Sequence, residues 1–515
     1  PSSHKQTIAS SMSTTSGDEV VARTAYQRAI ILLTMSLCTM LYALTLTIVN
    51  VALPQLQGAL SATPDQVSWV ITLNVVATAV ATPMTGWIVA RFGERRVLIV
   101  AVIGFGIASM LCATATTLAP LLLYRIGQGV FGAPLVPLSQ AIIVAVYPPI
   151  QRAMAQGIFG MSVVIGPAIA PMIGGYLAEE YNWRWIFILI LPLCVAALIG
   201  LVAFIHDSGP RRKLRLDWTG FLALSIAVTC LQLMMDRGER ENWFESGEIM
   251  IVTALMALGF YLFVVQMMSH PEPFISPAIF ADRNFNVGLF LVFVYGLLNV
   301  TPTVLFPSML QNLKGYPDSL IGMLLAMRGA GMVIGFLAAA LMGRFDPRVG
   351  LFLGLGLIGW SGWQMSGFNL DVPPFAVGVA GIVQGIGTGV MWVPLSIVTF
   401  ASLPPSKLAE GSALFHLLRN FGSSIFISLS VMTVVRTSKV NYAELTEHIS
   451  PLNKILDFPS SLGFWNPDTV RGLAAISSEV GRQSTMIGYS NAFLLYAIVC
   501  LGAAPFLLFV RIKSR

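Results

Sequence analysis

What most constrains this chain is a succession of fourteen apolar runs with its charged residues gathered into short clusters between them. Each run is about 18 to 25 residues long, enough to cross the roughly 30 Å hydrocarbon layer of a bilayer as a helix. The runs centre on 29–49, 67–90, 97–115, 118–140, 152–176, 184–205, 217–235, 248–268, 286–309, 319–342, 349–367, 374–397, 409–432 and 488–510. They are solidly apolar rather than alternating, which selects helices over barrel strands. Charged residues make up 10% of the 515 and hydrophobic residues 56%. No room is left for a large soluble domain, and the expected class is an all-α integral membrane protein.

Residues 1–28 are polar and rich in Ser and Thr, and read as a disordered cytoplasmic tail with no cleavable signal pattern after them. The five cysteines (Cys38, Cys112, Cys194, Cys230, Cys500) all fall within apolar runs, where they act as small packing residues rather than a disulfide framework. Arginine and lysine gather on alternate sides: Arg91, Arg95, Arg96, Arg152, Arg211, Arg212, Lys213, Arg344 and Arg348 share one face with both chain ends. The positive-inside rule makes that face the cytoplasm. The formal charge of +6 is therefore a topology signal and gives no reason to expect nucleic acid.

The fourth and twelfth runs repeat one another. The fourth carries Gln128-Gly129, Val136-Pro137-Leu138-Ser139 and Pro148-Pro149; the twelfth carries Gln384-Gly385, Val393-Pro394-Leu395-Ser396 and Pro404-Pro405. A shift of eight runs divides the chain into six, two and six, and an even shift keeps both copies in one orientation. Parallel six-helix halves with a substrate site between them describe a major facilitator arrangement. The expected organisation is a tail at 1–28, a first half at 29–205, a linker with two extra helices at 206–285, and a second half at 286–515 that includes an outer loop at 437–487.

Several segments then carry a family resemblance: Asn50-Val51-Ala52-Leu53-Pro54, Trp69-Val70-Ile71-Thr72, Gly86 through Arg96, Arg125 with Gln128-Gly129, Trp183-Arg184-Trp185-Ile186-Phe187 and Asp236-Arg237-Gly238. Together they resemble a fourteen-helix drug:proton antiporter of the major facilitator superfamily, of the EmrB/QacA type of multidrug export permease. The resemblance implies an exporter of hydrophobic compounds in a bacterial inner membrane, with both termini cytoplasmic, no cofactor, and the proton gradient as energy source. It also implies a periplasmic adaptor and an outer-membrane channel as partners, with the 437–487 loop and the 236–247 loop as docking surfaces. Gly86, Arg91, Gly93, Glu94 and Arg95 match the family's gating loop, with Ala90 in place of its acid. Gly166, Pro171, Gly174 and Gly175 match the helix typical of antiporters, with Ala170 in place of one glycine.

Away from their ends the runs hold three arginines and no carboxylate: Arg125, Arg328 and Arg419. Each costs about 2.5–3.5 kcal/mol to insert, so each needs partners. Arg125 matches the family's fourth-helix arginine, which implies a role in proton or substrate coupling. A carbonyl-bonded or snorkelling arginine is the plainer reading of all three. His416 and Gln128 join them as candidates for substrate or coupling roles, with Asn50 and Thr45 on helix one. The family's helix-one acid is Thr45 here, and threonine carries no proton at physiological pH. The titratable groups left are Asp217, Asp236, Glu410 and His416. Guanidinium groups without carboxylates favour lipophilic anions as substrates, and Tyr295, Trp360, Trp363 and Trp392 are expected to hold their apolar parts.

No phosphate-binding Gly-x-x-x-x-Gly-Lys-Ser/Thr loop is present, so nucleotide hydrolysis by that route is excluded. A transport-inactive sensor or scaffold remains an alternative, as does an intramembrane enzyme, for which Ser412 beside His416 is the one candidate pair. The expectation is a transporter rather than an enzyme, with no metal.

Overall fold

The computed structural model describes residues 24–205, 215–344, 346–449 and 469–509, and among them every regular element is a helix. Residues 1–23 of the expected tail lie outside the described residues. Thr24 caps the first helix by accepting from the Gln27 amide, so residues 25–28 are already helical rather than tail.

The first half comprises α1 (Ala25–Leu60), α2 (Pro64–Ala81), α3 (Met84–Phe92), α4 (Glu94–Thr114), α5 (Leu118–Gly132), α6 (Leu135–Val146), α7 (Pro149–Glu180), α8 (Trp185–Ile188) and α9 (Ile190–Phe204). Prolines explain two of the breaks, because they remove a backbone donor and clash with the preceding turn. Pro83 lies at the 55° bend between α2 and α3, and Pro134 separates α5 from α6. Two further helices follow, α10 (Trp218–Arg237) and α11 (Gly247–Ser269). The second half comprises α12 (Arg283–Lys314), α13 (Asp318–Leu341), α14 (Pro347–Ser366), α15 (Pro374–Phe400), α16 (Leu408–Glu447) and α17 (Val470–Ala503).

All fourteen expected runs fall on helices. Among the described residues twelve helical segments are long and apolar enough to cross a membrane, or thirteen when α2 and α3 count as one bent span. The remaining expected span, α14, is 20 residues long but diluted by Trp360, Ser361, Trp363 and Gln364.

The repeat in sequence has a counterpart in packing. In the first half α1 packs on α7, α2 on α5, and α4 on both α5 and α9; in the second α12 packs on α16, α13 on α15, and α14 on both α15 and α17. The repeated Gln-Gly pairs mark one such crossing. A side chain on Gly129 would collide with the Asn74 carbonyl and the Thr78 amide of α2, and one on Gly385 with the Arg328 carbonyl and the Met332 amide of α13. Glycine is required at both because the backbones touch.

The linker helices pack on each other, and α10 leans on α2 and α16. Asp217 fastens them: Oδ1 accepts from Gly220 N and from Gln266 Nε2, both at 2.9 Å, and Oδ2 from Phe274 N at 3.2 Å. The halves meet where α7 touches α13 and where α3 and α6 touch α16. Those contacts gather toward the end at which α3 stops and α7 and α16 begin. There a Cβ on Gly86 would come within 2.9 Å of Glu410 Cα, while Gly157 and Gly160 abut Phe336 of α13.

Most of the described residues of the outer loop expected at 437–487 are helical. The α16 helix continues through Glu447 and α17 begins at Val470, where Thr469 accepts from Gly472 N. Residues 450–468 of that loop lie outside the described residues. With 40 residues, α16 is roughly 60 Å long, about twice the hydrocarbon thickness. Its far end stays paired with α17, since Tyr442 Oη and Ser477 Oγ lie 2.9 Å apart.

Candidate functional site

The three arginines are placed on three different helices and handled differently. Arg125 of α5 is 0% exposed. Its Nε donates to the Val70 carbonyl at 2.9 Å, its Nη1 donates to Gln128 Oε1, and its Nη2 has no partner. Gln128 passes the arrangement on by donating to Ser109 Oγ at 2.6 Å. Asn74 secures the same turn from α2, donating to the Arg125 carbonyl at 2.9 Å. Arg125 is thus a carbonyl-bonded arginine and does not snorkel.

Arg328 of α13 is also buried. Its Nε donates to Gln384 Oε1 at 2.6 Å, and its Nη2 donates to the Asn299 carbonyl and, at 3.1 Å, to Asn299 Oδ1. Gln384 in turn donates to Tyr496 Oη at 3.0 Å, whose hydroxyl donates to the Leu298 carbonyl at 2.9 Å. Gln128 and Gln384, equivalent by the repeat, therefore each accept from a buried guanidinium. In the first half the arginine comes from the same helix, and in the second from the neighbouring one.

Arg419 of α16 differs from both. It is half-buried, and its Nη2 donates to the adjacent Asn420 Oδ1 at 3.2 Å. The guanidinium lies 5.9 Å over the Trp392 ring, which is stacked 5.1 Å from Tyr295, 5.4 Å from Phe415 and 6.0 Å from His416. Tyr42 of α1 lies within electrostatic range of Arg125 and Arg419, and Tyr295 of α12 within range of Arg419 and Arg328. Each of the two phenols therefore lies near two of the three charges.

His416 lies one turn before Arg419 on α16, within electrostatic range of it. Its Nε2 is 2.6 Å from Gln140 Oε1 on α6, and Ser412 Oγ donates to the same oxygen at 3.5 Å. Gln140 Nε2 donates to Gln156 Oε1 of α7 at 3.4 Å. Ser412 and His416 thus converge on one amide oxygen, which is a tether between the halves and not the nucleophile–base geometry an enzyme needs.

Thr45 is buried, and its hydroxyl donates to the Leu41 carbonyl of its own helix at 2.7 Å; Asn50 is exposed. The gating-loop residues occupy the α3–α4 corner. Gly86 abuts Glu410, Gly93 takes a φ of +90° that only glycine adopts freely, and Glu94 opens α4. Arg91 lies 5.3 Å over the Trp87 ring, and Arg95 donates to the Val202 carbonyl at 2.8 Å. In α7, Gly166 and Gly174 face Met40 and Ile48 of α1. Gly175 is half-buried, and the side chain of Pro171 lies outside the described residues.

Of the four titratable candidates, Asp217 is taken up by the linker caps and Glu410 accepts from the Ser276 amide at 3.0 Å. Asp236 accepts from Gln232 at 2.9 Å, and Gln232 accepts from Ser424 of α16, also at 2.9 Å. Two aromatic expectations fail: Trp360 and Trp363 are 51% and 66% exposed. They line an apolar groove of about 310 Å³ between α14 and α17, away from the arginines. Sequence reasoning missed Tyr42, Gln140, Gln156, Asn299 and Tyr496. Of these Gln140, Gln156 and Asn299, polar residues within apolar runs, gave a visible signal.

The family model described as Major Facilitator Superfamily matches residues 35–427. The Multidrug export protein EmrB of Haemophilus influenzae is 32% identical over 488 residues, covering 92% of this chain and 94% of that protein. The Fatty acid resistance protein FarB of Neisseria gonorrhoeae is 30% identical over 481 residues, covering 92% and 94%. Among solved structures, that of the proton:xylose symporter XylE matches with a TM-score of 0.61 at 14% identity, covering 94% of this chain and 96% of that one.

Proposed function

The chain belongs to the major facilitator superfamily, in its EmrB-type branch of multidrug export permeases, and on that premise we propose that it is a secondary active exporter of hydrophobic toxic compounds, driven by protons and inclined toward lipophilic anions. The observation that carries the anion preference is the grouping of Arg125, Tyr42, Arg419, Tyr295 and Arg328, with no carboxylate paired to those arginines among the described residues. Fatty acids are the compounds named for one relative, which supports the same reading. With Thr45 in place of the family's helix-one acid, Asp236 and His416 are the titratable groups we consider for proton coupling.

The basic corner at Arg91, Arg95 and Arg96 supports a reading in which the joined end of the halves faces the cytoplasm of a bacterial inner membrane, with both termini on that side. The conformation is then sealed toward the cytoplasm, one of the two states that alternating access requires. The projecting ends of α16 and α17 provide a surface for a periplasmic adaptor, and through it an outer-membrane channel. We assign no catalytic role and no cofactor.

Reconstituted vesicles test the reading. An imposed pH gradient should drive decanoate, a hydrophobic acid, more strongly than ethidium, a hydrophobic cation. Ethidium transported well and decanoate poorly removes the anion preference, and transport indifferent to the gradient removes the proton coupling.

A further inference from the structure

The three buried arginines are not equivalent in what they leave free. A guanidinium offers five N–H donors in a fixed plane. Arg328 spends Nε on Gln384 and Nη2 on Asn299, and so fastens α13 to α15 and α12. Arg125 spends its on Val70 and Gln128, and although Nη2 is unpaired the whole side chain is sealed from any surface. Both side chains are committed to holding neighbouring helices together.

Arg419 is bonded only through Nη2, to the amide of the residue next to it, and is open to a ligand. Its surroundings are donors as well. Tyr42 from the first half and Tyr295 from the second lie within electrostatic range. The Trp392 indole beneath it is 3% exposed, and its Nε1–H has no partner. A buried unpaired N–H is costly unless an acceptor meets it. A half-buried guanidinium over an aromatic cluster, with no carboxylate paired to it among the described residues, offers a place for an anion whose apolar body rests on Trp392 and Phe415.

We infer that Arg419 is the specificity-determining residue, holding the acidic group of the transported molecule together with Tyr42, Tyr295 and Trp392, while Arg125 and Arg328 serve as framework. The inference rests on the anion reading above. It adds a consequence for release: Tyr42 belongs to α1 and Tyr295 to α12, so rocking of the halves separates donors that hold the anion jointly.

The experiment compares decanoate and ethidium transport by wild type, Arg419→Gln and Arg419→Lys in reconstituted vesicles. For Arg419→Gln the decanoate-to-ethidium ratio should fall by about tenfold or more, the scale of one charge-assisted hydrogen bond. Arg419→Lys should recover part of it, since the charge returns without the planar fork. Tyr42→Phe, a milder variant, should lower the ratio in the same direction. An unchanged ratio in Arg419→Gln overturns the inference, as does equal loss of both substrates by folded protein, which would mark Arg419 as a coupling group. Wild-type vesicles that carry no decanoate overturn the anion reading itself, and the inference with it.

Discussion

Gln140 Oε1 lies 2.6 Å from His416 Nε2, and this fully buried contact joins α6 of one half to α16 of the other. A hydrogen bond made across a moving seam exists in one access state and is lost in the next. Gln140→Leu leaves the imidazole without its acceptor, at about 1–3 kcal/mol. That penalty falls on the sealed state alone, so the access equilibrium should shift about tenfold or more toward cytoplasmic opening. The five native cysteines are buried, so a cysteine placed at Ser396, which lies at this seam, reports the change. Its labelling by a maleimide should accelerate by that factor in Gln140→Leu, and the double variant with His416→Leu should add little. Equal labelling rates would refute the clasp.

The Gly86 contact predicts a second effect at the same end. A Cβ there comes within 2.9 Å of Glu410 Cα, on the opposite half. Gly86→Ala should therefore push α3 off α16 and destabilise the sealed state by about 1–3 kcal/mol. Transport should fall while the thermal midpoint of the detergent-solubilised protein barely moves. A large loss of midpoint with normal transport is the contrary result.

Gly129 and Gly385 should behave differently, because their neighbours lie within their own halves. Alanine at either meets backbone atoms that have no room to retreat, and should lower folding stability by about 1–3 kcal/mol. Gly322→Ala and Gly356→Ala are the controls, since a Cβ there meets nothing within 4 Å. Thermal unfolding of the four variants separates the pairs, and four equal midpoints contradict the packing described.

Gln384 makes a further prediction. Gln384→Leu removes the acceptor of Arg328 Nε and the donor to Tyr496 together. A lost bond to a charged group amounts to about 1.5–3 kcal/mol, and the stranded guanidinium should lower both folding yield and thermal midpoint. Gln384→Glu, which keeps the acceptor, should recover most of the loss.

How much of this was legible beforehand depends on how far apart the interacting residues lie in sequence. The spans and the Gln-Gly repeat are local patterns, and both reappear as helices and as crossings of equal geometry. Arg125, Arg328 and Arg419 stood out because charge is rare in apolar runs, but their partners did not. Arg328 meets Gln384 across 56 positions and His416 meets Gln140 across 276, distances over which composition carries no signal. Trp360 and Trp363 were misassigned for a related reason: an aromatic residue in a membrane helix suits lipid as well as it suits a binding site. The polar stretch of α16 after Val434 remains helical, its Thr437, Ser438 and Asn441 side chains bonding back to their own helix.

The glycine crossings at Gly129 and Gly385 have a mechanical meaning. Where backbones touch without side chains between them, little can slide, so α2 with α5 and α13 with α15 move as stiff blocks. Compliance is then confined to the seam, where Gly86, Gln140 and His416 sit. A transporter built this way converts small forces at its midline into displacement at its ends, as a lever does, and loses that amplification wherever a block is softened.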